Sequence, residues 1–147
     1  MYNNGQAKYY RDMQVLTAKR AKLVLMMYEG AIRFAREAIK RIQSNDIAGR
    51  GVYIRKTQDI ILELMNSLDK ENGGEIAANL SKLYLFINRN LIMANIQGEN
   101  KFIEDCIKIL TELREAWDGV INNGHKNDEV IEDNRKFHSE RKLAVRC

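Results

Sequence analysis

No proline occurs anywhere in the 147 residues, so nothing obliges a helix to stop or kink inside the chain. Strand-like alternation of apolar and polar residues is scarce as well, and the two absences together point to an all-α protein. Cysteine is limited to two residues. Cys106 falls within a helical apolar pattern and Cys147 is the last residue, which leaves neither a disulfide framework nor a C-x-x-C metal site. A reducing compartment fits that usage. The two histidines, His125 and His138, have Asn122 and Arg135 three residues ahead of them, so the paired Glu-x-x-His motifs of a dinuclear bundle site are missing. No phosphate-binding loop, nucleophile elbow or His-Glu-x-x-His sequence occurs, and Gly73-Gly74 is a lone pair. No cofactor, metal or catalytic residue is therefore expected, and the chain reads as non-enzymatic. No segment reaches the roughly 20 apolar residues of a membrane span, and the first residues lack the apolar run of a signal peptide. The expectation is a cytoplasmic protein without membrane insertion.

What is present is an ordinary globular balance, with apolar residues at 45%, and a length that suits one core. The formal charge is +4, but the basic and acidic residues are mostly interleaved. A nucleic-acid binder would show a basic stripe or a known module, and neither is found.

Hydrophobic periodicity divides the chain into an arm, four helices and a tail. Residues 1–16 are polar and tyrosine-rich, and predict a flexible arm or one short helix that docks on the rest. Thr17 is a candidate N-cap for a first long helix reaching about Gln43. Gly30 in its interior marks a close approach of a neighbour. Asp46 opens a second helix, with Gly49 and Gly51 loosening its first turns and Asn72-Gly73-Gly74 closing it. A third helix spans Gly73 to Asn95, and a fourth runs from about Lys101 to Ile121, where Asn122-Asn123-Gly124 ends it. Short breaks make successive helices antiparallel neighbours, so residues 17–121 are expected to form an antiparallel up-down-up-down four-helix bundle. Residues 122–147 form a charged C-terminal tail, either a marginal outer helix or disordered, with no function assigned to it.

The third helix organises the reading. Ile76, Leu80, Leu83, Ile87, Leu91 and Ala94 recur at spacings of four and three, one stripe of a helix. Tyr84, Leu85, Ile92 and Ile96 carry apolar surface round to the far side, and Phe86 and Met93 add a third flank. A helix this apolar must be covered on most sides. Sibling helices supply part of that cover, and the surplus suggests a surface completed by another polypeptide. Asn79, Asn88, Asn90 and Asn95 are unusual in such a helix, since asparagine is a mediocre helix former. Their carboxamides suit holding the backbone of an added peptide, or equally bonding to neighbouring helices.

Several blocks resemble one family: Q-V-L-T-A at 14 to 18, L-M-M-Y-E-G-A-I-R-F at 25 to 34, G-G-E-I-A-A-N-L at 73 to 80, L-Y at 83 to 84, A-N-I at 94 to 96 and L-R-E-A-W at 113 to 117. Their order and spacing are similar to those of the FliS flagellar secretion chaperones. The resemblance runs from about Tyr10 to Ile121. It implies a cytoplasmic chaperone that holds the disordered C-terminal segment of flagellin, prevents early polymerisation, and keeps it competent for type III export until it reaches the export gate. It also implies that the arm, through Tyr10, covers part of the groove when the client is absent. Family members often carry a proline and an acidic residue before the first long helix. This chain has Lys19 to Lys22 there, which leaves the start of that helix undefined.

A disordered client loses about 1 to 2 kcal/mol of chain entropy per ordered residue, so long apolar grooves suit it better than one pocket. The candidate groove residues are Tyr84, Leu80, Ile87, Leu91, Asn79 and Asn95 of the third helix. Ile60 and Leu64 of the second and Tyr28 of the first join them, with Tyr10 as the displaceable cover. Each apolar position among these could equally be core. The competing expectation is a self-associating structural bundle whose surplus apolar surface is consumed between copies. Without client the chain is expected to be a monomer or weak dimer.

Overall fold

The computed structural model describes residues 2–127, and side chains for residues 5–123. Four helices account for nearly all of it: α1 (Tyr2–Gln43), α2 (Ile47–Asn66), α3 (Gly74–Gln97) and α4 (Asn100–Asn127). Among the described residues there is no strand. α1 packs beside α2 and α4, and α3 beside the same two, so α1 and α3 face each other across the diagonal. The turns are short, as an antiparallel bundle requires.

The arm and the first long helix are one continuous element of 42 residues. Thr17 does not cap anything; its hydroxyl donates to the Met13 carbonyl at 2.8 Å, the i−4 partner of a residue inside a helix. With no proline between Gly5 and Lys22, nothing interrupts the hydrogen-bond ladder there. At 1.5 Å per residue α1 is roughly 63 Å long, about twice the 30 Å of α2, so its first turns project past α2.

The first turn is closed by chemistry that the sequence announces. Asn45 takes φ 57, a left-handed conformation that asparagine tolerates better than most residues. Asp46 then caps α2, its carboxylate accepting from the Gly49 amide at 2.9 Å and from Arg41 at 3.1 Å. Gly49 does not loosen this turn. A Cβ there would meet the Asp46 carboxylate, its Cγ at 2.7 Å, so glycine is what leaves room for the cap. α2 stops at Asn66, six residues before the expected break. α3 ends on Gly98 at φ 66, whose amide donates to the Ala94 carbonyl at 2.8 Å, the usual left-handed glycine stop. α4 runs past Asn122-Asn123-Gly124 to Asn127.

The core is built from Ala21, Val24, Tyr28, Ala31, Ile32, Ala35 and Ala38 of α1 against Ile54, Ile61 and Leu64 of α2, with Ile103, Cys106, Leu110 and Trp117 from α4. Small residues on α1 let its neighbours approach closely, and a Cβ on Gly30 would stand 3.4 Å from Ile60 Cδ1. α3 contributes Ala77, Leu80, Tyr84, Ile87, Leu91 and Ala94. This stripe is rotated from the expected one, because Ile76 is 43% exposed and Leu83 only half-buried while Ala77 and Tyr84 point inward. The reason is polar. The Tyr84 hydroxyl meets that of Tyr28 at 2.5 Å in the core, and Trp117 packs against the Tyr28 ring with centroids 6.5 Å apart.

Candidate functional site

The ten residues singled out from the sequence do not come together as one surface. Tyr28, Leu64, Leu80, Tyr84, Ile87 and Leu91 are all buried, none more than 8% exposed, so in this structure they are part of the core. Periodicity places a residue on a stripe, and which stripe faces inward is decided by the helices packed against it. Ile60 is half-buried against Gly30. Asn79 and Asn95 are exposed. Tyr10 is 66% exposed on the projecting turns of α1 and is not seated on the bundle, so here it covers no groove.

Accessible apolar side chains also lie along α2 and α3. The α2–α3 pairing is held in register by Gln58 Nε2 donating to Asn88 Oδ1 at 3.1 Å and by Arg50 Nη2 donating to the Asn95 carbonyl at 2.9 Å. Leu62 lies one turn after Gln58; Leu85 and Ile92 lie one turn either side of Asn88, and Ile96 one turn further. All four therefore share the flank along the α2–α3 seam, with exposures from 43% to 70%. Four large apolar side chains in a row, left 43–70% uncovered, form a strip with the Gln58–Asn88 amide pair at its middle. Arg55 and Arg89, both exposed, stand on the same flank. Leu85, Ile92 and Ile96 were visible in the sequence as apolar positions off the α3 stripe. Leu62 was not, because nothing in the α2 pattern separates an outward leucine from an inward one.

The asparagines divide between the two roles open to them. Asn88 bonds to a neighbouring helix through Gln58, and Asn95 supplies only its backbone carbonyl to Arg50. Asn90 Nδ2 is buried without a partner among the described residues.

Burial pushes the Cys106 thiol up to about 12, and its Sγ donates to the Ile87 carbonyl at 3.4 Å, which makes it a packed neutral group and a poor nucleophile. Among the described residues no cluster of three or more His, Cys, Asp or Glu side chains is placed to hold a metal ion. No helix among them is long and apolar enough to cross a membrane.

The family model for the flagellar protein FliS matches residues 1–124. The chain is 37% identical to the flagellar secretion chaperone FliS of Campylobacter jejuni over 123 residues, which is 84% of this chain and 96% of that one. It is 34% identical to the protein of the same name in Vibrio cholerae, over 74% of this chain and 80% of that one. The Salmonella typhimurium flagellar secretion chaperone FliS matches at 33% identity, over 80% and 90% of the two chains. A match over this much of the bundle, at this identity, shows that the chain belongs to the FliS family of flagellar secretion chaperones.

Proposed function

We propose that this protein is a cytoplasmic, non-catalytic chaperone whose α2–α3 flank seats the disordered C-terminal segment of flagellin. Held there, the segment cannot polymerise early, and it stays competent for type III export until the flagellar export gate takes it. The observation that carries the reading is the strip of Leu62, Leu85, Ile92 and Ile96 along a seam fixed by Gln58 and Asn88. An extended or helical guest covering the exposed part of these side chains gains roughly 0.7 to 2 kcal/mol for each one. The Gln58 and Asn88 amides keep spare donors and acceptors for the guest's main chain. Tyr10 acts as a cover only if the projecting turns of α1 fold back, and Asn79 and Asn95 sit at the rim.

Titration of the full chain with a flagellin C-terminal peptide in a calorimeter tests this. A 1:1 complex with a strongly negative heat-capacity change is expected. An undetectable heat at micromolar concentration overturns it. The same strip also fits a self-associating bundle, and light scattering separates the two. A monomer that gains one peptide favours the chaperone, whereas a stable dimer indifferent to peptide favours self-association.

A further inference from the structure

The chain carries 24 Lys and Arg against 20 Asp and Glu. Five of the former and one of the latter lie between Lys8 and Lys22, so the whole formal excess of +4 resides on the first turns of α1. Those turns have little packed against them. From Gly5 to Arg20 every residue except Ala7 and Thr17 is exposed, and the ion pairs among the described residues involve Glu37, Lys40, Arg41 and Asp46 instead. At the helical advance of about 100° per residue, Tyr9, Met13, Leu16 and Arg20 share one stripe, at spacings of four, three and four. Its three apolar members are 40–64% exposed, and Tyr10 stands beside them at 66%. Lys8, Arg11, Lys19 and Lys22 gather on a second sector, centred roughly 130° round. A helix with one apolar side, one basic side and tyrosines between is suited to lie in the plane of a bilayer surface.

We propose that the first turns of α1 dock on an anionic lipid surface, with Met13 and Leu16 entering the headgroup boundary and the five cations drawn to acidic headgroups. The helix lies on the bilayer and does not cross it, since no helix among the described residues is long and apolar enough to do so. Two features choose lipid over another helix. Arg20 stands on the apolar stripe itself, so a helix packed there would have to bury its guanidinium. In a second copy the matching stripe offers no carboxylate to receive it, because Asp12 lies off that stripe. At a bilayer the same side chain reaches the headgroup phosphates. The other four cations lie away from the apolar stripe, where a docked helix could not pair with them at contact range. A charged surface acts over a Debye length of about 8 to 10 Å, close to the diameter of a helix, so it attracts them all the same.

Co-sedimentation of the full chain with vesicles tests the assignment. Retention is expected on mixed phosphatidylglycerol and phosphatidylcholine vesicles at low salt, with little on phosphatidylcholine alone. Met13→Asp with Leu16→Asp, and separately Lys19→Glu with Lys22→Glu, should each weaken retention by roughly tenfold or more. Val52→Ser, which alters an exposed apolar side chain of α2, should leave it unchanged. All these positions are exposed, so the thermal midpoint of each variant should match that of the wild type. The proposal is overturned if anionic vesicles retain no more protein than neutral ones, if either pair of substitutions leaves retention intact, or if Val52→Ser matches them. It is equally overturned if the protein self-associates without lipid and Met13→Asp with Leu16→Asp abolishes that, which would make a second copy the occupant.

Discussion

The Tyr28 and Tyr84 hydroxyls meet at 2.5 Å between diagonal helices, and this contact fixes which face of α3 turns inward. The two hydroxyls bond to each other where water is excluded, so removing one deprives its partner of a buried hydrogen bond. Tyr84→Phe is expected to cost about 1 to 3 kcal/mol. Tyr28→Phe combined with Tyr84→Phe should cost little more than either alone, because both polar ends then leave together. Urea denaturation of the two single variants and the double variant closes the cycle; strict additivity would mean the hydroxyls are not coupled.

Two glycines should respond to alanine with opposite sign. At Gly30 the new Cβ makes ordinary contact with Ile60 Cδ1 at 3.4 Å, so the helix-propensity gain of roughly 1 kcal/mol stands. At Gly49 the Cβ collides with the Asp46 carboxylate, and losing the α2 cap outweighs the same propensity gain. Thermal unfolding of both variants reads the difference directly.

On the α2–α3 flank, Leu62→Ser and Ile92→Ser should each weaken peptide binding roughly three- to twentyfold, the equivalent of about 0.7 to 1.7 kcal/mol. The folding midpoint should stay near wild type, since both side chains are about half in solvent. Leu80→Ala, by contrast, removes core volume and should cost about 2 to 5 kcal/mol of stability. Equal binding by the flank variants and wild type would move the client to another face.

Alkaline pH should destabilise the fold through groups kept neutral inside it. Burial raises the Tyr28 phenol above its ordinary 10.0 and takes the Cys106 thiol from 9.0 to about 12. Above pH 9 the unfolded chain releases protons that the folded chain keeps, so stability falls as pH rises. Cys106→Ala should flatten the part of this slope that begins near 9, as measured by urea midpoints across the range. At the acid end the sign reverses. The Gly49 amide and Arg41 hold the Asp46 carboxyl below its usual range, so that cap's contribution is present at neutral pH and is lost as pH falls through the lowered value.

The sequence alone determined the four helices, their order, the Asp46 start of α2, and the family. Each of these follows from local periodicity, capping chemistry or motif order, which neighbouring elements do not alter. What it left open were the facing decisions. Ile76 and Ala77, or Leu83 and Tyr84, are adjacent in sequence and 100° apart on a helix, so either member fits a stripe of spacing four and three. Only packing chose Ala77 and Tyr84, because Tyr84 finds a hydroxyl to bond in the core. That choice put Tyr84 into the core beside Leu80, Ile87 and Leu91 and left Leu85, Ile92 and Ile96 exposed. The length of α1 was likewise decided by the folded chain. With Thr17 bonded back to Met13 instead of capping, arm and helix became one rod, and Tyr10 stands exposed on it.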